Sequence, residues 1–442
     1  MHDYQLLFAV MSRPRGSGYF TARPLGCPSR SQVARPLSLF PLLAALNHPE
    51  TFQDRSFLLD NFDRPDSPEC GVAQNLPREI LDLFVGEFQR KDRVERRTIG
   101  QFGLVCQNWL PSSRYHLFGD VDLNEHTLKP FLSAADNSLF RIPSFIQSLG
   151  LSFADREDRD KETMGLGEIL CRLGALPLVK TLRLTMKDDV LVRNYTLLGT
   201  TFPNTSSLVL RNVPLALGTI FQTISAFPSV ERVALDWVEL ESPHDALLSS
   251  YQFPPKWSVL SLDLLHDHSE RHLFTAFLSL NPVPALSSLS LRDLDIVENS
   301  PIGRYLSHIG NALHHLRLES EVSTRYRNPH PTGLRFCTGL RRLDLALHES
   351  SDLAATTLSF LSYLPVQSRP TLTHINVFDP SSNRKHRSTN WRRLDNKLAE
   401  EQFVNSVKVF SVESKSPALL EGLAESMILA QQRRILRVVE AR

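Results

Sequence analysis

The chain has 442 residues, with 49 Lys and Arg against 48 Asp and Glu, and five cysteines. That near-neutral balance argues against a dedicated nucleic-acid binder, whose affinity rests on neutralising phosphates. Cys27, Cys70, Cys106, Cys171 and Cys337 contain no Cys-x-x-Cys pair, so neither a disulfide framework nor a zinc ribbon is written here, and a reducing compartment, cytoplasmic or nuclear, fits best.

Residues 1–72 read as a disordered leader. Leu6 to Val10 is apolar but lacks a basic lead-in, which argues against a secretory signal. Arg13, Arg15, Arg23, Arg30 and Arg35 without an intervening acid resemble an organelle transit peptide in composition, yet Pro14, Pro24, Pro28 and Pro36 interrupt any amphipathic helix. No apolar run in the chain approaches the roughly 18 residues needed to span a bilayer, so no membrane is expected as a partner.

Order is expected from Asn75, a plausible N-cap, with Pro77 in the first turn and Glu79 placed to complement the helix dipole. Ile80, Leu83, Phe84 and Phe88 follow at helical spacing. After the charged run Lys91 to Arg97, a second apolar helix over Ile99 to Trp109 ends before Pro111, and a third segment, Ser113 to Phe118, leads into the first repeat.

Leu76-Pro77-x-Glu79-Ile80, then Leu104-Val105-Cys106-x-x-Trp109, then an aromatic-rich exit helix make residues 75–118 resemble an F-box. The resemblance implies a small all-α module that docks on the Skp-type linker, and through it on a cullin, in a ubiquitin ligase. Carried over by position, Leu76, Pro77, Ile80 and Leu81 lie on the linker-binding face, and Leu104, Val105, Cys106 and Trp109 supply the module's core and the rest of the interface. The whole arrangement looks like the fungal F-box proteins with degenerate leucine-rich repeats. The other reading of the same residues is a helical cap covering the end of a repeat array.

Beyond residue 118 the pattern apolar-x-x-apolar-x-apolar recurs, with its fourth position at Val121, Leu149, Leu182, Leu208, Val233, Leu260, Leu289, Leu316, Leu343, Ile375 and Val407. A period of about 25 to 33 residues is that of a leucine-rich solenoid, in which each unit gives one strand. Stretches such as Pro214 to Phe227, Glu270 to Leu280, Pro301 to Leu313 and Leu353 to Leu364 have helical spacing. The fold class expected is therefore α/β, a solenoid over 119–415 with a parallel curved sheet and outer helices. The asparagine usual in such repeats is replaced by Lys187, Val213, Val238, Leu265, Leu294, Glu321 and His348, which predicts irregular turns with the apolar substitutes packed inward. Residues 416–442 are expected as a capping helix from Pro417 to Val439, with Arg433, Arg434 and Arg437 near its end.

Nothing here reads as an enzyme. There is no Gly-x-x-x-x-Gly-Lys, Gly-x-Ser-x-Gly or His-Glu-x-x-His, and no cofactor is expected. In the cluster His266 to His272, His268 and His272 could share a helix face and bind a metal, but they fall where a strand hands over to a helix and read as a polar turn capped by Ser269. Strand positions between the leucines run from Lys180, Thr181 and Arg183 through Ser258, Ser261, Ser287, Ser288 and Ser290 to a C-terminal set that leans basic, Arg317, Arg341 and Arg342 with His314, His315 and His374, beside Asp344 and Asn376. Guanidinium forks match carboxylate and phosphate geometry. That group is the expected binding site for an acidic or phosphorylated segment of an unknown protein substrate, with extra charge from the histidines below about pH 6.5.

Overall fold

The computed structural model describes residues 80–82, 85, 98–99 and 109–440, apart from 136–141, 154–165, 187, 213, 242–251, 265–268, 293–295, 322–330, 349–351, 366–370 and 380–389. The chain divides into two compact units, Met1–Phe118 and Gly119–Arg442. In the first, helix α1 (Leu110–Phe118) is the expected exit helix, beginning three residues early because Pro111 is tolerated in a first turn. The leader expected over 1–72 lies outside the described residues.

In the second unit the repeat pattern becomes a sheet. Its strands are β1 (Asp120–Asn124), β2 (Ser148–Phe153), β3 (Thr181–Met186), β4 (Ser207–Arg211), the short β5 (Pro214–Ala216), β6 (Arg232–Glu241), β7 (Val259–Leu264), β8 (Ser288–Arg292), β9 (His315–Glu321), β10 (Arg342–His348), β11 (His374–Asp379), β12 (Val409–Ser414) and β13 (Leu436–Glu440). Apart from β5, which pairs with β6, the strand order in space is the order in the chain. Every pair is parallel. Val121, Leu149, Leu182, Leu208, Val233, Leu260, Leu289, Leu316, Leu343 and Ile375 stand opposite one another in succession. All ten are buried, as are most of their partners two residues on. Alternation along each strand sends these residues to the core and those between them to the other face.

The register is fixed at the start of each strand by one repeated bond pattern. A single carbonyl accepts from two consecutive backbone N–H groups of the next unit: Lys180 and Thr181 donate to Gln147 O, Ser206 and Ser207 to Lys180 O, His314 and His315 to Ser287 O, Arg341 and Arg342 to His314 O, and Thr373 and His374 to Arg341 O, at 2.8–3.0 Å. Hydroxyls reinforce the row, Ser287 Oγ donating to Ser258 O at 3.2 Å and Thr373 Oγ1 to Arg341 O at 3.0 Å. Ser258 and Ser287, read from sequence as lining the middle of the face, therefore belong to this scaffold.

The crossovers carry the expected outer layer: α2 (Glu125–Ala135), α3 (Leu166–Leu173), α4 (Asp188–Thr201), α5 (Leu217–Ser225), α6 (Ser269–Ser279), α7 (Pro301–Ile309), α8 (Leu353–Ser362), α9 (Trp391–Leu398) and α10 (Glu401–Val404). Ser300 caps α7, its Oγ accepting from Gly303 N at 3.1 Å ahead of Pro301, and Asp352 caps α8 through Ala355 N at 2.9 Å. Between helices and sheet runs an aromatic column. Phe221, Phe253, Trp257, Phe274, Phe277 and Tyr305 meet at ring separations of 4.7–6.2 Å. Burial pushes the Tyr305 hydroxyl far above its ordinary pKa, so it stays a donor, to Pro284 O at 2.6 Å. Val238, at one of the missing asparagines, is fully buried.

Two expectations are corrected. Phe410, not Val407, continues the core row, pairing with Ile375. Val404-x-x-Val407-x-Val409 and Val407-x-x-Phe410-x-Val412 both satisfy the pattern, and the bonds from Lys408 N and Val409 N to Thr373 O choose the second. The C-terminal capping helix over 416–442 is also replaced. The segment forms α11 (Pro417–Ser426), α12 (Ile428–Gln432) and β13, the last strand of the sheet. Arg434 adopts a left-handed φ of 57° that turns the chain out of helix, and Val438 and Val439 suit a strand. The buried Asp395 carboxylate accepts from Leu429 N and Ala430 N, both at 2.9 Å, and Arg433 donates to Leu398 O and Val404 O at 2.6 and 2.7 Å, locking this end against α9 and α10.

Candidate docking surface

The face of the sheet opposite the core is a polar ladder set by the register. Over β9–β11 it brings together most of the basic group expected from sequence. Arg342 stands opposite both His315 and His374, and Asp344 opposite Arg317 and Asn376. His314 and Arg341 lie one residue earlier, in the carbonyl row, with Arg341 exposed.

The charge expected there is not bare. Asp344 sits at the centre and gathers three donors: His315 Nε2 at 2.8 Å, Asn376 Nδ2 at 2.6 Å and Arg342 Nε at 2.9 Å. Burial opposes ionisation of this carboxyl, but the bonds from His315, Arg342 and Asn376 outweigh that and hold it well below the ordinary carboxylate range. Arg317 approaches Glu319 at 3.4 Å, and Glu319 also lies 3.9 Å from Arg292, itself bonded to Asp263 at 2.7 Å. The expected basic patch is thus an interlocked network of both signs. The physical reason is register: it alternates Arg317 with Asp344, and Arg292 with Glu319, across neighbouring strands.

The opposite end uses a different device. Arg183 reaches over β2 to Asp120 at 2.5 Å and Asp122 at 3.1 Å, taking Ser148 Oγ at 2.6 Å on the way. Burial works against this charge, while the two aspartates more than compensate and raise its pKa. The passage is open because Gly150 lies between Asp122 and Arg183 in the register, where a Cβ would stand 2.0 Å from Asp122 Oδ1.

Between these ends lies a residue the sequence reading passed over. The register of β6 shifts between Asp236 and Val238, leaving Trp237 as the extra residue of a bulge. Trp237 has a left-handed φ of 58° and is 50% exposed, whereas Trp109, Trp257 and Trp391 are 7%, 6% and 2% exposed. One strand earlier, Asn212 follows Arg211 as Trp237 follows Asp236, and it too is left-handed, with φ of 51°. Its N–H donates to Asp236 O at 3.0 Å. Asparagine tolerates that conformation; for a bulky side chain it costs about 1–3 kcal/mol. Asp236 is paired with Arg211 at 2.5 Å and stands opposite Asp263.

Of the residues expected to dock on a linker, Ile80 is 48% exposed, while Leu81 and Trp109 are buried at 2% and 7%. Leu81 is therefore not part of an exposed face. Leu76, Pro77, Leu104, Val105 and Cys106 lie outside the described residues, as do His266 and His268. Ser269 does not serve as a simple cap of the turn it follows: it is buried, and its Oγ accepts from Leu240 N at 3.1 Å, tying α6 to β6. Among the described residues no group of three His, Cys, Asp or Glu is placed to hold a metal ion, and no helix is long and apolar enough to cross a membrane. No family model matches the sequence, and no curated protein matches it.

Proposed function

We propose that the protein is a non-enzymatic adaptor: the F-box-like segment 75–118 docks on a Skp-type linker and through it on a cullin, and the solenoid holds a protein substrate on the polar face of its sheet. Its mechanism is proximity, which raises the effective concentration of substrate lysines near a charged conjugating enzyme. The observation that carries the reading is the pairing of Leu76-Pro77-x-Glu79-Ile80, with Ile80 exposed, to a long parallel sheet whose outward positions are charged and half-exposed.

Capture by purified linker protein tests it. Leu76→Asp together with Ile80→Asp is expected to abolish capture, because two carboxylates would be desolvated in an apolar interface without partners, while circular dichroism of the sheet stays unchanged. Wild-type affinity in that variant sinks the docking assignment.

A second reading, a scaffold with no link to ubiquitin whose helical segment is only a cap, has one observation in its favour. Leu81 and Trp109 are buried, so part of the expected docking face is interior. A full-length chain that fails to bind the linker favours it.

A further inference from the structure

We infer that Trp237 anchors a docking site for a basic, lysine- or arginine-bearing segment of a protein partner. The inference rests on reading the sheet as a capture surface, and it places capture on β6 and β7 instead of the arginine group of β9–β11.

Three features of one short stretch support it. The ring is the exposed one among four tryptophans, and it stands on the polar face of the sheet, at the end of the ladder formed by Arg211, Asp236 and Asp263. The turn that exposes it does not require tryptophan, since Asn212 makes the equivalent left-handed turn one strand earlier with a side chain suited to it. A costly residue kept where a cheap one fits points to a use outside the fold.

Charge selects the partner. Asp236 and Asp263 face each other across adjacent strands, and Glu239 follows two residues after the ring on the exposed side. Their arginine partners, Arg211 and Arg292, lie on the outer strands β4 and β8, each drawn to its own aspartate. An incoming cation would meet an indole face, the best aromatic surface for a positive charge, beside carboxylates able to accept its hydrogen bonds. An acidic segment would meet Asp236, Asp263 and Glu239 instead. Elsewhere the surface is less specific: Arg317 and Arg342 lie against carboxylates of their own strands with no exposed indole beside them, and Val438 and Val439, exposed on β13, carry no feature that specifies what covers them.

The exposed ring makes its own probe. With three tryptophans buried, acrylamide quenching of the full chain reports chiefly on Trp237. Titration with an oligo-arginine peptide is expected to shield that fluorescence and shift its emission, and an oligo-glutamate peptide to do neither. Trp237→Asn keeps every charge and the turn; it should melt above wild type and, by titration calorimetry, bind oligo-arginine at least about tenfold more weakly. Asp236→Asn with Asp263→Asn should weaken binding while leaving the ring exposed. Equal shielding by both peptides, oligo-arginine affinity unchanged in Trp237→Asn, or shielding that grows with protein concentration alone, which would mean a second copy covers the ring, each overturns the proposal. Linker capture by the same variants is expected to be unchanged, so loss of this site and failure of the adaptor reading are separable.

Discussion

Asp344 offers the sharpest test of how this surface is held. Its carboxylate joins three strands, taking His315 from β9, Arg342 from its own strand and Asn376 from β11, with Arg317 opposite it and His374 opposite Arg342. Arg342 is more than half exposed, so its contribution is screened and small. The bonds from His315 and Asn376 are half-buried and run to a charged acceptor, worth about 1.5–3 kcal/mol each when isolated. Sharing one carboxylate makes them non-additive, so Asp344→Ala should cost about 2–4 kcal/mol near neutral pH. A carboxyl whose folded pKa lies below its unfolded value stabilises the fold fully above the unfolded value, about 3.9, and loses that stabilisation as pH falls towards the folded one. The carboxyl's share of the difference between wild type and Asp344→Ala, measured by urea unfolding, should therefore shrink as pH falls below about pH 4. Hydrogen exchange should rise first in β9–β11. A difference that is absent at pH 7, or that grows on acidification to pH 3, refutes the reasoning.

Two further perturbations examine the frame. Leu316→Ala empties a fully buried place in the core row and should cost about 2–5 kcal/mol, with exchange protection falling in β8–β10 before distant strands; a uniform rise along the sheet would contradict nearest-neighbour stacking. Asp395→Ala strips the N–H groups of Leu429 and Ala430 of their acceptor and should cost about 1–3 kcal/mol, seen as early proteolysis within 428–440; unchanged cleavage there would show that Arg433 holds the end alone.

The strands were legible because leucine spacing reports burial directly: a residue that must be dry every unit leaves a period in the sequence. Position within the period was less so. Val407 and Phe410 both satisfy the pattern, and only the backbone bonds to Thr373 O separate them. Partners on the polar face were hidden for a related reason. Asp344 reads as one polar residue among many until the register sets it between His315 and Asn376, and the reach of Arg183 depends on a glycine in the intervening strand. Trp237 was masked by alternation, since Val233 and Leu235 make it the next core residue. A bulge gives that place to Val238 and turns the ring out.

Strand order equal to chain order has a mechanical consequence. Inter-strand hydrogen bonds of the second unit run along the direction in which its strands are stacked, so tension applied between Gly119 and Glu440 loads them in series and peels strands one after another instead of shearing many together. The solenoid should yield in small steps at modest force, beginning at an edge such as β13, and rewind step by step when released. A segment bound at the middle of such a stack, as proposed for Trp237, would stay held while the outer strands give way.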